Sequence, residues 1–341
     1  MKRVDIGLLG CGTVGRGFVQ LLDREQTRVR NRYGIDLSIT RIAVRDLTKP
    51  RPGVDERLLT TSTLDAIQAG DIVVEAIGGV ELPRSLVRTA IALGRDVVTA
   101  NKALLAESGP EIFAKAAARG VAVGFEASVC GGIPVIRALQ RGLAGDSIES
   151  VTGILNGTCN FVLTRMEDGT SFDAALRLAQ ERGFAESDPS LDVDGHDAAQ
   201  KLRLLAAIAF EGQRPAILDV TGIRGVTSHD VAAARERGSV LRQVAFAEEC
   251  GGTVHLRVGV REIPDCDPLA RVRDESNAVL IRGRSVGDIF LTGRGAGAMP
   301  TAAAVLSDVI EIALQRFGVR RLATAIDKGG SEVAHSTAYL T

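Results

Sequence analysis

The sequence predicts an α/β protein of two domains, a doubly wound parallel sheet followed by an α+β region. At 341 residues the chain is long for one domain. Up to about residue 133, β-branched apolar runs alternate with helix-length segments, which is typical of a parallel sheet with helices on both faces. Beyond that point the rhythm changes to strands that alternate apolar and polar residues, which indicates antiparallel pairing.

The first domain, residues 1–133, contains five predicted strands, which are Val4–Leu9, Leu37–Val44, Asp71–Ile77, Asp96–Ala100 and Val121–Ala127. Helix patterns lie between them, at Thr13–Leu22, Pro83–Leu93 and Pro110–Ala118. Right-handed crossovers between such strands make a sheet doubly wound.

The second domain, residues 134–299, has mixed elements. A strand pattern at Ser147–Leu155 is followed by helix patterns, which are Thr158–Met166, Ser171–Gly183 and an apolar helix through Phe210. Clean alternation at Thr253–Val260 predicts a strand, and Asn277–Thr292 predicts a hairpin that turns near Gly283. A last amphipathic helix, at about 300–320, is expected to pack back on the first domain.

Composition excludes several classes of function. The net charge is −1 and the pI is near 6.5, which argues against nucleic-acid or membrane-surface binding. Trp is absent, aromatic content is 4%, and no apolar run approaches the roughly 20 residues that cross a bilayer. Five scattered cysteines without a CxxC motif predict free thiols in the cytoplasm, at Cys11, Cys130, Cys159, Cys250 and Cys266.

A glycine motif directly follows the first predicted strand. Gly10, Gly12 and Gly15 form G-x-G-x-x-G between a strand and a helix, the Rossmann-type signature of dinucleotide binding. Gly10 permits the turn, Gly12 lets a pyrophosphate approach, and Gly15 allows the helix to pack closely on the sheet. The amides of Thr13 and Val14 then point at the phosphates. A merely tight turn is the alternative.

The end of the second strand bears on the choice of cofactor. An acid there holds a ribose 2′-hydroxyl, whereas an arginine accommodates a 2′-phosphate. Arg45 comes before Asp46, and Lys49 lies nearby. We therefore expect NADP, with NAD still possible.

An acidic segment precedes the apolar helix that ends near Phe210. It holds five acids and one base, which are Glu186, Asp188, Asp192, Asp194, Asp197 and Lys201. Acids that a buried helix carries into a core need a positive partner, because unpaired buried charge is costly. We expect a substrate ammonium and Lys201 to fill that role.

Two lysines are candidates for chemistry. Lys201 and Asp197 share a helix face at i, i+4, and burial would lower the pKa of the lysine toward neutrality. Lys102 follows the predicted strand Asp96–Ala100, at the sheet edge where ligands bind. A surface lysine and an ordinary helix salt bridge are the alternatives.

Two other motifs do not support a site. Asp192–Gly195 resembles the start of an EF-hand loop, but Lys201 then falls where calcium needs a glutamate. His196 has no partner histidine at metal-binding spacing, so we expect it to be structural or exposed.

Several long motifs together resemble the homoserine dehydrogenase family, and they cover nearly the whole chain. They are GLLGCGTVG, VVEAIGG, TANKALLA, FEASVCGGIPVI, GILNGTCNFVLTRM, GFAESDPSLDVDGHDAAQKL and GAGAMPTAAAVLSDVI. The family interconverts L-homoserine and L-aspartate 4-semialdehyde with NAD(P). The resemblance therefore implies a cytoplasmic enzyme of threonine, methionine and isoleucine biosynthesis, without nucleic-acid or membrane partners.

The resemblance also implies residue roles. Lys201 would be the proton donor to the aldehyde, and Lys102 would lie at the reacting end near the nicotinamide. Substrate-binding positions would be Glu186 and Asp197, with Asp192 as a third carboxylate. Cofactor contacts would be made by Thr13, Val14, Ile77, Lys102, Gly183 and Gly297. A structural monovalent cation, expected to be sodium, would be held by Glu126, Val129, Gly131 and Ile133.

The resemblance further implies a homodimer, and strands such as Thr253–Val260 and Ala278–Thr292 suit a sheet extended across a two-fold axis. The second domain would thus serve both catalysis and dimerisation. Many relatives continue into a C-terminal regulatory domain, whereas this sequence ends about 25 residues after the last helix. We therefore expect weak or absent feedback by threonine through that route.

Two rival functions remain at this stage. A cysteine-dependent semialdehyde dehydrogenase would use Cys130 as its nucleophile, although no histidine lies near it in sequence and a buried thiol is the alternative. Under our interpretation, activity survives Cys130→Ser. A non-enzymatic nucleotide-sensing regulator would have no need for the arrangement of Glu186, Asp197 and Lys201.

Overall fold

The computed structural model describes residues 1–211 and 215–316. The first domain comprises β1 (Lys2–Leu9), α1 (Thr13–Tyr33), β2 (Ile35–Ala43), β3 (Leu59–Thr60), α2 (Thr63–Ala69), β4 (Ile72–Glu75), α3 (Glu81–Ala92), β5 (Asp96–Thr99), α4 (Lys102–Arg119) and β6 (Val123–Gly124). The strands pair in parallel in the order β3-β2-β1-β4-β5-β6. This confirms the predicted doubly wound sheet.

The second domain begins with α5 (Val135–Arg137), which continues as a π-helical turn over Ala138–Gly142. The elements that follow are β7 (Ile148–Ile154), α6 (Gly157–Glu167), α7 (Phe172–Glu181), α8 (Ser190–Val193), α9 (His196–Ala209), β8 (Pro215–Val220), α10 (Ser228–Glu236), β9 (Ser239–Cys250), β10 (Thr253–Pro264), β11 (Ser276–Gly283) and β12 (Gly287–Arg294). The sheet order is β12-β11-β7-β9-β10-β8. Its pairs are antiparallel except that β10 and β8 run parallel.

The last described helix, α11 (Ala298–Arg316), packs against α1 and completes the core of the first domain. Residues 317–320 of the expected helix lie outside the described residues. Among the described helices, α11 alone is long and apolar enough to span a bilayer, and 67% of its apolar window is buried in the protein. The expectation that no apolar run approaches the length needed to cross a bilayer is therefore wrong for this helix. The burial is typical of a core helix.

Several predicted elements were too short. α1 extends to Tyr33 because Glu, Gln and Arg are good helix formers even on an exposed surface, and it ends at Gly34 in the left-handed region. α4 begins at Lys102, before Pro110, because Asn101 caps it by accepting a hydrogen bond from the Leu104 amide.

Other strand predictions were missed or too long. β8 and β9 were not predicted, since polar residues interrupt the alternation in β9. One of these is the fully buried Arg242, whose guanidinium donates to the carbonyls of Ala270 and Val272. In contrast, the strand expected at Val121–Ala127 is only two residues long, because the chain turns into a 3₁₀ segment at Glu126.

The packing of α1 on α11 yields a stability prediction. A Cβ on Gly17 would lie 2.8 Å from the carbonyl oxygen of Ala298, which is too close. Alanine normally stabilises a helix interior over glycine by about 1 kcal/mol. We expect Gly17→Ala instead to lower the free energy of unfolding by roughly 1–3 kcal/mol, because the two helices must move apart.

Gly109→Ala in α4 is the matched control, since its added Cβ would lie 3.5 Å from the nearest heavy atom, an ordinary contact. It should leave the free energy of unfolding unchanged or raise it. Urea unfolding followed by circular dichroism measures both variants. Equal changes in the same direction would contradict the packing argument.

Candidate active site

The glycine turn has the backbone that its motif predicts. Gly10 has φ +94°, in the left-handed region that favours glycine. A Cβ on Gly15 would collide with the Gly10 carbonyl, so helix and turn pack as expected. A Cβ on Gly12, at the N-cap of α1, would meet nothing within 4 Å. That open space at a helix N-terminus fits an approaching pyrophosphate.

A cleft of about 610 Å³ lies beside this turn. The predicted residues that line it are Gly10, Gly12, Thr13, Arg45 and Ile77. The cleft also contains the basic residues Arg16, Lys49 and Arg51. The Asp46 carboxylate accepts bonds from the amide and hydroxyl of Thr48, at 2.8 and 2.7 Å, which turns it toward its own loop.

The carboxyl ends of β4 and β5 bring further polar groups to the same sheet edge. The buried Glu75 carboxylate accepts from the Ile77 amide at 2.8 Å and from the Thr99 hydroxyl at 2.6 Å. Asn101 donates to the Gly79 carbonyl at 2.7 Å. These bonds hold the loops from which Lys102 projects as the first residue of α4. Sequence reasoning identified Lys102 but not Glu75 or Thr99.

Lys102 reaches across to the second domain, where a buried charge cluster lies. Its Nζ is 3.1 Å from the Asp197 carboxylate. The other oxygen of Asp197 lies 2.7 Å from the Lys201 Nζ. Lys201 also donates to the Leu155 carbonyl at 2.7 Å, and it is only 8% exposed. The structure therefore brings together both predicted lysines and one predicted acid.

Asn156, which sequence reasoning missed, organises the acids. Its side-chain amide donates to Asp192 at 2.7 Å and to Asp197 at 2.8 Å. Its oxygen caps α6 by accepting from the Cys159 amide at 2.8 Å. The available signal was its position directly before a helix pattern, where asparagine is a preferred cap. The bridge itself depends on residues about 40 positions away.

The cluster has coupled electrostatics. Burial alone would raise the pKa of Asp197, but the Lys201 and Lys102 ammonium groups outweigh it and lower the pKa to about 2. Burial lowers the pKa of Lys201, but Asp197 outweighs it and the net pKa is raised. The expected lowering of the lysine pKa is therefore wrong, because its partner carboxylate is in direct contact. Burial raises the pKa of Asp192 despite the bond from Asn156.

The other acids of the segment do not join this cluster. Glu186 and Asp188 are exposed, and Asp194 pairs with Arg224 on the surface. Among the described residues Glu186 forms no ion pair. Of the five acids, Asp197 on α9 is buried and Asp192 on α8 is partly buried, whereas the other three stay at the surface. His196 is exposed, as one of the two expectations had it.

The two buried thiols near the cluster are unsuited to nucleophilic attack. Cys130 is 1% exposed, and burial raises its pKa. Its hydrogen-bond partner is the amide of Asn277, at 3.4 Å. Burial also raises the pKa of Cys159, whose Sγ donates to the Asp192 carbonyl. A catalytic thiolate needs the opposite environment.

The loop expected to hold a cation has a specific geometry. The Glu126 carboxylate accepts bonds from the Ile136 and Arg137 amides, both at 2.9 Å. Cys130 has φ +49°, which bends the loop between Val129 and Gly131. The Ile133 carbonyl accepts from the Val135 amide at 2.8 Å. Among the described residues none donates to the carbonyls of Val129 and Gly131, so these two oxygens suit a cation.

The remaining predicted cofactor contacts lie outside the described cleft. Val14 and the buried Gly15 belong to the first turn of α1. Gly183, with φ +74°, is exposed after α7, and Gly297, with φ +116°, is exposed before α11.

Comparison with known families agrees with this geometry. The family model described as "Homoserine dehydrogenase, NAD binding domain" matches residues 10–126, and the model described as "Homoserine dehydrogenase" matches residues 134–310. The chain belongs to the homoserine dehydrogenase family. It is accordingly an oxidoreductase that acts on a CH–OH group and has an NAD-binding domain. Membership of this family supports homoserine dehydrogenase activity over that of a cysteine-dependent semialdehyde dehydrogenase.

Individual relatives carry the same name. The homoserine dehydrogenase of Synechocystis is 45% identical over 91% of this chain and 73% of its own length. That of Bacillus subtilis is 39% identical over 92% of this chain and 73% of its own length. The crystal structure of the Thiobacillus denitrificans homoserine dehydrogenase has a TM-score of 0.89 at 43% identity, covering 94% of this chain and 75% of that one.

An archaeal structure bears on the cofactor. A hyperthermophilic archaeal homoserine dehydrogenase in complex with NADPH has a TM-score of 0.79 at 26% identity. The match covers 92% of this chain and 98% of that chain.

The lowered pKa of Asp197 predicts an acid-dependent loss of stability. The folded-state pKa is about 2, and the unfolded-state value is about 3.9. The unfolded chain therefore binds more protons as the pH falls through about 4. The stabilisation is complete above that pH and is lost toward pH 2. Asp197 should contribute a loss of about 1 kcal/mol between pH 6 and pH 3.

Urea unfolding of the wild type and of Asp197→Asn at both pH values measures this contribution. The variant should be less stable at pH 6, because Lys201 loses its charged partner. Its stability should also depend less on pH. An identical pH dependence in the two proteins would contradict the assignment.

Proposed function

We propose that Lys201 is the general acid and base of a homoserine dehydrogenase reaction, with Lys102 positioning the reacting group. The observation that carries the proposal is the contact of the buried Asp197 with both lysines at the sheet edge that also bears the glycine turn. A nucleotide-sensing regulator has no use for two lysines held by one buried carboxylate.

The raised pKa of Lys201 suits the reduction of L-aspartate 4-semialdehyde. The nicotinamide cofactor supplies hydride chemistry when bound. Lys201 is a protonated ammonium near neutral pH, and it gives its proton to the aldehyde oxygen as the carbon is reduced. In the reverse direction it accepts the hydroxyl proton of L-homoserine. The Leu155 carbonyl and Asp197 direct its amine.

The environment of Asp192 supports the expectation that it binds the substrate ammonium. Burial raises its pKa, so a cation beside it would compensate a costly buried charge. Asn156 fixes its position. We assign Glu186 to the same substrate ammonium, which it would reach from the exposed loop after α7.

The composition of the nucleotide cleft supports NADP over NAD. Arg45 is exposed at the end of β2, and the Asp46 carboxylate is engaged with Thr48. A 2′-phosphate would find Arg45 and Lys49 available. We carry over the remaining cofactor contacts, Val14, Gly183 and Gly297, from the family.

Further assignments also rest on the family resemblance. We assign residues 1–133 to cofactor binding and 134–299 to catalysis and dimerisation, in a cytoplasmic homodimer of threonine, methionine and isoleucine biosynthesis. The five free cysteines agree with a reducing compartment. A monomer mass in light scattering would contradict the assignment of a homodimer.

The bent loop around Cys130 would hold a structural cation, expected to be sodium. The carbonyls of Val129 and Gly131 supply oxygen ligands, and Glu126 and Ile133 complete the expected set. The cation would stiffen the loop that precedes α5. Unchanged thermal stability on exchanging sodium for a large organic cation would contradict this role.

Lys201→Met tests the central assignment in an assay with L-homoserine and NADP. Turnover should fall by about 10²–10⁴-fold through loss of proton transfer, whereas NADPH affinity should hold. Lys115→Met is the control, because Lys115 is exposed and, among the described residues, its one ion-pair partner is Glu111. Turnover of the Lys201 variant within tenfold of the wild type would overturn its role.

Arg45→Ala tests the choice of cofactor. Loss of a charge-assisted contact with the 2′-phosphate should raise the KM for NADPH roughly tenfold and leave the KM for NADH unchanged. Arg41→Ala, an exposed change on β2 outside the cleft, is the control. Equal effects of Arg45→Ala on both cofactors would argue against a phosphate contact.

A further inference from the structure

A second cavity, of about 790 Å³, lies between α4, the π-helical turn and α9. We call it the rear cavity. The apolar side chains that define it are Leu105, Phe113, Leu139, Leu143, Leu204 and Ile208. Its volume and apolar lining are those of small-molecule sites, and none of its lining residues lines the nucleotide cleft.

The rear cavity is walled by the two helices that carry the reactive groups. α4 starts at Lys102, and its Leu105 lines the cavity. α9 carries Asp197 and Lys201, and its Leu204 lines the cavity from the other side. The two helices pack on each other, and the Lys102–Asp197 contact of 3.1 Å joins them. A molecule between these helices would therefore act on the spacing of the reactive groups.

Two walls have the irregular backbone that is common at functional sites. The residues Ala138–Gly142 form a π-helical turn. In α4, Pro110 has no N–H, so the Ala106 carbonyl loses its usual helical donor, and both residues line the cavity. An aromatic pair, Phe113 and Phe125 with ring centroids 5.1 Å apart, lines the same space.

Among the three charged residues that line the rear cavity, Asp146, Arg203 and Glu211, Arg203 is the one that can pair with an anionic ligand. Asp146 has its carboxylate engaged by the amides of Ser285 and Val286, at 3.0 and 2.9 Å. Arg203 is exposed on α9 and forms no ion pair among the described residues. The exposed Glu211 lies beyond the end of α9, and among the described residues no ion pair joins it to Arg203. Within the part of the chain that the structure describes, the Arg203 guanidinium therefore has no acidic partner beside the apolar lining.

We propose that the rear cavity binds an amphipathic monocarboxylate and thereby changes the activity of the enzyme. The apolar or aromatic body lies among Phe113, Leu143 and Ile208, and the carboxylate pairs with Arg203. Binding favours a wider spacing of α4 and α9, which weakens the contact of Lys102 with Asp197. The ligand changes activity to the extent that it binds the wider spacing of the two helices more tightly than the narrower one.

Calorimetry with 3-phenylpropionate as the probe, and 3-phenylpropanol as its uncharged match, tests the site without cofactor or substrate. Arg203→Gln should weaken binding of the carboxylate roughly two- to fivefold and leave the alcohol unaffected, as expected for a partly exposed ion pair. Ala207→Trp, at an exposed lining position of α9, should fill the mouth and abolish binding of both. Arg119→Gln, on α4 outside the cavity, is the control.

The effect on turnover is measured separately, with L-homoserine and NADP. The carboxylate should lower turnover of the wild type without competing with L-homoserine, and it should not affect Ala207→Trp. Absence of binding, or equal binding to Ala207→Trp, would overturn the site. Binding without a change in turnover would overturn the coupling. Since binding is measured on the protein alone, failure of the assigned catalytic roles would not produce either result.

Discussion

The buried ion pair between Asp197 and Lys201 is the interaction on which the rest of the site depends. Two charges removed from water are stabilising only when each is fully paired and hydrogen-bonded. Lys201 therefore needs the Leu155 carbonyl as well as Asp197, and Asp197 needs Lys102 and Asn156. Lys102 at the start of α4 in the first domain and Asn156 at the start of α6 in the second domain therefore belong to the site. The result is an ammonium group that is charged at neutral pH yet shielded from solvent.

The parallel sheet supplies the second constraint. Its strands all end at one edge, so the turn after β1, the loop after β4 and the start of α4 converge there. Glu75 stabilises that convergence from within, since its carboxylate ties the loop after β4 to Thr99 on β5. The nucleotide cleft and the charge cluster thus share one side of the first domain. The rear cavity lies further along α4 and α9, beyond the residues that form the charge cluster.

Local patterns predicted most of the fold and several site residues. The glycine motif, the alternation of strands and helices, and the i, i+4 spacing of Asp197 and Lys201 depend only on neighbouring residues. Predictions failed where a partner distant in sequence decides the outcome. Arg242 breaks the strand pattern of β9 but is buried because distant carbonyls accept its donors. The pKa of Lys201 is raised because its carboxylate lies in direct contact, although burial alone would lower it.

The sequence by itself determined the two-domain α/β class, the glycine turn, the two lysines and the family resemblance. Each follows from short-range spacing or from ordered motifs along the chain. Tertiary structure alone decided which acids enter the core, the bridge from Asn156 to Asp192 and Asp197, and the side of Asp197 that Lys102 reaches. Those contacts join residues that are 36 to 95 positions apart in the sequence. No local pattern encodes how such distant helices and loops are placed relative to one another.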